Sequence, residues 1–376
     1  MRVKNEVIDA DCRFCSAISK ANGEEPIGTA ATSDYWLIVE LPQPWSEIPW
    51  PDSPQLKPLV ASIKELILKD GVRLKPIAIA PDPEYSRPGY TRILYYYRPG
   101  ELFAQYEKRE YIVPDNLIGE LVTELLKLVS QKPGFLTNTF AKIKNTTCRS
   151  GSAQRNPTKT SGSTKVRTTY KKMARVLLTG FEQYRQETSR VREMLVCTHA
   201  NVDVACGRFG YPIYKKLRSQ YAASSNGNLR VWRSSHFGGH RFAPTLVDLP
   251  EGRYWGHLEP EMLDLLLLRN SSVSGLRPFY RGWAGLGSLE QIVEREIWMR
   301  EGWDWLKYPK TGRVLAAEEN QTRVQLEFAL PDGKNELQLY EAVVEVNGEV
   351  MSASRSGEEL KAFKQYRVAS LEKVER

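Results

Sequence analysis

The chain has 376 residues, 41% hydrophobic and 26% charged, which suits two or three compact units with sizeable cores. No apolar run approaches the ~20 residues of a membrane helix, and the charged opening, Met1-Arg-Val-Lys, lacks the apolar stretch of a signal peptide. Five unevenly spread cysteines do not resemble a secreted disulfide framework, so a soluble protein of a reducing cytoplasm is expected, and the net charge of +8 raises the question of a nucleic-acid partner.

Cys12-Arg-Phe-Cys15 comes first. A Cys-x-x-Cys pair can be a redox dithiol or half of a zinc site. No second pair of matching spacing follows and no strand precedes it, so an incidental role is the plainer reading. Tyr35 to Leu41 reads as a buried strand, followed by a turn rich in proline (Pro42, Pro44, Pro51, Pro54). Leu56 to Leu68 has helical apolar spacing and stops at Asp70-Gly71. Strands are expected over Leu74–Ala80, Thr91–Tyr97 and Ala104–Val113, and a helix over Asp115–Val129. Alternating strands and helices indicate an α/β unit over residues 1–140. It gathers no recognisable catalytic set.

Residues 141–172 are expected to be a basic flexible linker. Ala141 to Arg175 holds ten Lys or Arg and no acid; subtracting those ten from +8 leaves −2 for the rest. Asn145 to Thr169 is polar and nearly free of apolar residues, which reads as a solvated tract rather than a nucleic-acid-binding arm. Cys148 on such a tract is a poor ligand, because ordering the loop would cost binding free energy.

A second unit is expected over 173–275. A helix over Met173–Glu187 leads to the strand Glu193–Cys197, then a helix over Arg208–Ala222 and the strand Leu229–Arg233. A hairpin over Arg241–Leu249 and Gly252–His257 and a short helix ending near Asn270 complete it. Residues 276–376 are expected to hold a helix, Leu289–Trp303, and a small antiparallel sheet with turns at Pro331-Asp-Gly and Asn347-Gly348.

The chemistry gathers in the second unit. Eight residues separate Cys197 from Cys206, twenty-nine separate Cys206 from His236, and three separate His236 from His240. Two thiols and two imidazoles at strand ends form a candidate metal set: Cys197, Cys206, His236 and His240. Gly238-Gly239 argues against a helix carrying the His pair and suits a tight loop. Zinc accepts such ligands tetrahedrally, while a [2Fe–2S] cluster can take thiolates on one iron and imidazoles on the other. Spacing alone leaves a structural zinc module and an iron–sulfur centre equally open. His199 reads as an unlikely further ligand, and His257 as a packing residue.

Cys197-x8-Cys206 with His236-Phe-Gly-Gly-His240 resembles the signature of the sucrase/ferredoxin-like family. Gly207-Arg-Phe-Gly210, Ser234-Ser235 and Arg241-Phe-Ala-Pro244 are similar to it too, as are Cys15-Ser, Pro26-Ile-Gly-Thr-Ala30 and Trp36-Leu-Ile-Val-Glu40 with Pro44-Trp45. The resemblance implies a thioredoxin-like ferredoxin domain with a bis-histidinyl, non-Rieske [2Fe–2S] cluster, preceded by a divergent α/β domain and followed by a small β extension. It implies that Cys197 and Cys206 hold the iron that stays ferric and His236 and His240 the iron that is reduced. Reduction adds negative charge and raises the affinity of the ligating imidazoles for their remaining proton, so electron uptake is expected to couple to proton uptake at alkaline pH. A one-electron carrier or redox sensor with a redox partner protein follows, rather than an enzyme turning over a substrate. Neither membrane nor nucleic acid is expected as a partner. No paired carboxylates support sucrose hydrolysis. Arg208, Arg233 and Arg241 read as solvated charge, or as a rim that steers an acidic redox partner.

Overall fold

The computed structural model describes residues 14–131, 170, 172–318, 320–330 and 336–374. Cys12, Cys148, the tract from Asn145 to Thr169 and the expected turn at Pro331 lie outside the described residues.

A short helix, α1 (Cys15–Ala21), precedes β1 (Tyr35–Glu40), every residue of which is buried. Aromatic and β-branched residues on both faces mark a strand covered on two sides. β1 pairs in parallel with β2 (Leu74–Ile79), the two being linked through α2 (Val60–Leu68). On its other side it pairs antiparallel with β3 (Tyr90–Tyr97), which pairs with β4 (Glu107–Pro114). Helix α3 (Ile118–Ser130) follows, burying Leu121, Val122, Leu125, Leu128 and Val129 at helical spacing.

The same succession then recurs. A two-residue strand, β5 (Arg185–Gln186), lies on β4. Next, β6 (Arg192–Cys197) pairs in parallel with β7 (Leu229–Ser234), linked through α4 (Val204–Lys216). β6 also pairs antiparallel with β8 (Leu246–Leu249), and β8 with β9 (Arg253–Trp255), ahead of α5 (Leu263–Leu268). This is the thioredoxin-like arrangement expected of the second unit, and the first half of the sheet has it as well. With β10 (Tyr280–Trp283) on β9, the ten strands run β10-β9-β8-β6-β7-β2-β1-β3-β4-β5. The pairing pattern reads the same from either end about the β7–β2 contact, a single antiparallel pair of Ile79 and Ser234.

Side chains four or five strands apart in that order nevertheless meet. Arg230 of β7 binds Glu110 of β4, and the rings of Trp36 and Tyr254 lie 5.7 Å apart. At about 4.8 Å per strand a flat sheet would hold these groups out of reach. The two halves therefore fold onto each other about the β2–β7 contact. Trp36, Ile38, Leu94 and Tyr96 face Leu195, Trp232 and Tyr254 in a common core, while Tyr35, Leu37 and Val39 face away toward α3. Within the fold, Arg230 pairs with Glu110 and Glu193, and Lys108 reaches the same carboxylates at 3.0 and 2.6 Å. Burial would raise the Glu110 carboxyl, but Arg230, Lys108 and Arg92 hold it well below the usual range.

Helix α6 (Ser288–Glu301) packs against β10 and against a second, four-stranded antiparallel sheet. That sheet runs β11 (Lys310–Ala317), β12 (Gln321–Ala329), β13 (Leu337–Ala353), β14 (Leu360–Val374). Two expectations are corrected. Asn347-Gly348 is not a turn: it lies inside β13, at a register shift between Val346 and Glu349, with Gly348 at φ +82°. β14 pairs on both sides of it, so the dipeptide makes a bulge. The helix expected to reach Glu187 gives way to a 3-10 turn over Thr179–Tyr184, and Arg185–Gln186 is captured by the edge of β4 as β5.

Candidate metal centre

β6 carries Cys197 at its last position. The chain then turns into α4, whose N-cap is Asp203: its Oδ1 accepts from the Ala205 amide at 2.9 Å. Cys206 therefore falls in the first turn of the helix. The helix can lie this close only because Gly210 has no side chain. A Cβ there would sit 2.0 Å from the Cys197 carbonyl oxygen, and one on Gly207 would sit 2.8 Å from Ala200 Cβ.

β7 delivers the imidazoles. Beyond Ser234, Ser235 is tied to the first half of the sheet: its amide donates to the Ala78 carbonyl at 2.8 Å, and its Oγ accepts from the Ala78 amide at 2.9 Å. His236 follows. Gly238 and Gly239 take φ +103° and +82°, and a Cβ on Gly239 would collide with the Arg281 guanidinium at 2.2 Å. Those two glycines let the buried Arg281 donate to the Gly238 carbonyl at 2.9 Å and to Thr29 Oγ1 and carbonyl at 3.0 and 2.8 Å.

The structure brings together Cys197 Sγ, Cys206 Sγ and a ring nitrogen of His236, all within 4.8 Å of one another. His236 Nδ1 lies 3.6 Å from each sulfur. His240 stands beside this group, with its Nδ1 3.4 Å from His236 Nε2 and its Nε2 2.6 Å from the Ser354 carbonyl. A carbonyl only accepts, so His240 Nε2 carries the hydrogen and Nδ1 keeps its lone pair. His236 Nε2–H can then donate to His240 Nδ1, which leaves His236 Nδ1 as the acceptor facing the thiols. Both imidazoles thus offer nitrogen lone pairs, and His240 has the outer hydrogen bond usual for a metal-bound histidine. The sulfurs are fully buried and the imidazoles half-buried.

Without metal the thiols share a proton unequally. Burial opposes ionisation of Cys197, but Cys206 and His236 hydrogen-bond to it and hold it well below the usual thiol range. The hydrogen bond to Cys197, with burial, pushes Cys206 up. Burial also lowers His240 and favours the neutral, ligating imidazole.

His199 is not in the gathered set. Its Nδ1 accepts from the His236 amide at 3.4 Å and its ring meets Trp45 edge-on, so it supports the ligand loop. His257 is buried against Ser19 Oγ at 3.2 Å, as a packing residue. Arg208 is exposed. Arg241 departs from the solvated reading: it binds the buried Glu24 at 2.9 Å and stacks on Phe363 at 3.8 Å. Arg233 lies over the Tyr211 ring at 5.6 Å.

Residues that sequence reading did not assign to the site come from far along the chain. Cys15, Asp203 and His240 form a second set with donor atoms within 4.8 Å of one another. The loop after β13 closes over it: Ser356 Oγ donates to Asp203 Oδ1 at 2.7 Å and its amide to Oδ2 at 2.9 Å, while Cys15 Sγ lies 3.5 Å from Ser356 Oγ. Burial pushes the Cys15 thiol up to about 12, so it stays protonated beside the site. Of this set, Cys15 stands out in the sequence only as part of Cys12-Arg-Phe-Cys15 and of the family resemblance, His240 is already in the candidate set, and Asp203 is not singled out.

A model of the sucrase/ferredoxin-like family matches residues 26–282. No curated protein and no solved structure matches the chain.

Proposed function

The chain belongs to the sucrase/ferredoxin-like family, and from that premise we propose that it is an electron-transfer protein with one [2Fe–2S] cluster held by Cys197, Cys206, His236 and His240. The observation that carries this reading is the gathering of two buried thiols with a ring nitrogen of His236, and of a second imidazole within 3.4 Å of the first. Bound there, the cluster supplies reversible one-electron exchange.

The chain's own groups have definite parts in it. The buried thiols favour a ferric iron, while the neutral, shallower imidazoles favour the reducible one. The Ser354 carbonyl orients His240 and keeps the proton on Nε2. The imidazole side, nearer solvent, is where a redox partner protein approaches. No helix among the described residues is long and apolar enough to cross a membrane. The described cysteines are free thiols, which suits the cytoplasmic setting that belongs to this reading.

Visible absorption and EPR of the anaerobically purified, reduced protein test the proposal. A coloured protein with a binuclear iron–sulfur signal that is altered in His236→Cys and His240→Cys supports it. A colourless protein with one zinc per chain replaces it with a structural Cys2His2 zinc module.

A further inference from the structure

The repeated succession places strand ends in the first half of the sheet where the second half has its metal ligands. Cys197 closes β6 opposite Ser234 of β7, and Glu40 closes β1 opposite Ile79 of β2. Beyond Glu40 opens a cleft of about 630 Å³, the size of a small-molecule site. Among the described residues no thiol or imidazole lines it, so it does not repeat the metal chemistry. Its apolar wall includes Leu41, Trp45, Ile118 and several prolines.

The charged groups of the cleft are four carboxylates and one guanidinium: Glu40, Asp52, Asp82, Asp115 and Arg87. Asp82 is paired with Arg218 at 2.9 and 3.0 Å. Asp115 accepts from Thr91 Oγ1 at 2.8 Å, and Asp52 from the Ser46 amide at 2.8 Å. Arg87 stacks on the Tyr90 ring at 3.9 Å. Glu40 differs. Its residue is 6% exposed, and its Oε2 is buried with no hydrogen-bond partner among the described residues. Ser86 and the Arg92 backbone bond to the same carboxyl. The nearby Arg92 guanidinium turns its two terminal nitrogens to Glu110 and the Tyr85 carbonyl, and no hydrogen bond joins it to Glu40 Oε2. A buried carboxylate oxygen without a donor is costly to maintain, and a ligand that brings one relieves the cost.

We propose that this cleft binds a small organic monocation, an amine on an aromatic or alkyl body, with the ammonium on Glu40 Oε2 and the body against Trp45 and the proline wall. The charge of the lining decides the sign: an anion would face three further carboxylates with one guanidinium to meet it. An ammonium supplies the missing donor to the one carboxylate of the lining that holds a buried, unbonded oxygen. Trp45 also ties the cleft to the metal centre, since its ring lies edge-on to His199 at 5.5 Å and its carbonyl accepts from Asn201 at 2.6 Å.

Calorimetric titration of the full chain with phenethylamine tests this, with 2-phenylethanol and phenylacetate as neutral and anionic probes of like shape. Expected are one amine bound per chain, no measurable phenylacetate binding, and at least tenfold weaker amine binding by Glu40→Gln. Equal binding of 2-phenylethanol or phenylacetate, an unaffected E40Q, or no amine binding at millimolar concentration overturns it. Should E40Q not fold, the comparison of the three probes on the unaltered chain decides alone.

Discussion

Replacing Gly210 by alanine probes what sets the distance between the two thiols. The added Cβ would lie 2.0 Å from the Cys197 carbonyl oxygen, against ordinary contact from 3.4 Å, so α4 and β6 must part by about 1.4 Å. The obstacle is main chain and cannot rotate away, which puts the cost near the top of the 1–3 kcal/mol typical of overpacking, about 3 kcal/mol. Metal–ligand distances tolerate only about 0.2 Å, so a shift several times larger displaces Cys206 from the site. Denaturant unfolding of the metal-free protein and metal content by mass spectrometry read the two effects separately. Gly180→Ala is the control, since a Cβ there meets nothing within 4 Å. If G210A keeps both the unfolding midpoint and the metal content of the unaltered chain, close approach of helix and strand is not what positions Cys206.

Other groups give independent tests. Burial lowers His257 to about 4, so as pH falls the unfolded chain, titrating near 6.5, takes up its proton first. The associated stability is complete above about pH 6.5 and is lost toward pH 4, about 3 kcal/mol in all, and His257→Gln should remove that slope from urea titrations. Burial also lowers Lys310 to about 7, with Nζ between the Trp283 and Trp305 rings at 5.0 and 4.9 Å. The unfolded chain then holds more protons from about pH 7 to 10, so stability rises with pH across that window. Lys310→Met should stabilise the protein by about 1–3 kcal/mol at pH 6, and a lower melting temperature would contradict this. Glu193→Gln strips a carboxylate from Arg230 and Lys108 and should cost about 3–5 kcal/mol in denaturant unfolding. A cost below 1 kcal/mol would mean that the remaining Glu110 suffices.

What could be read in the sequence follows from how local the signal is. The strand at Glu193–Cys197 and the helix over Asp115–Val129 were legible because burial writes its period directly into neighbouring residues. The His236-Phe-Gly-Gly-His240 loop was legible because the ligand types and the positive-φ glycines stand side by side. The repetition of one succession in both halves of the large sheet was not, since matching positions carry unlike residues, Glu40 against Cys197 and Ile79 against Ser234. Cys15, Ser354, Ser356 and Arg281 reach the site through tertiary packing alone, and no spacing rule links Asp203 to a serine 153 positions away. Asn347-Gly348 misled because the dipeptide serves a bulge as well as a hairpin, and only the length of the partner strand separates the two.

The fastening of Ser235 to Ala78 has a consequence for any attempt to work with the ligand-bearing part by itself. Cut away from the N-terminal strands, the end of β7 is left with the Arg233 carbonyl and the Ser235 amide bare, and the segment leading into His236 loses its outside anchor. Such a fragment carries the means to replace what it lost, because a second copy can offer its own β7 antiparallel across the vacated border. The excised piece should therefore form an isologous dimer that rebuilds, from two identical halves, the junction the intact chain makes within itself.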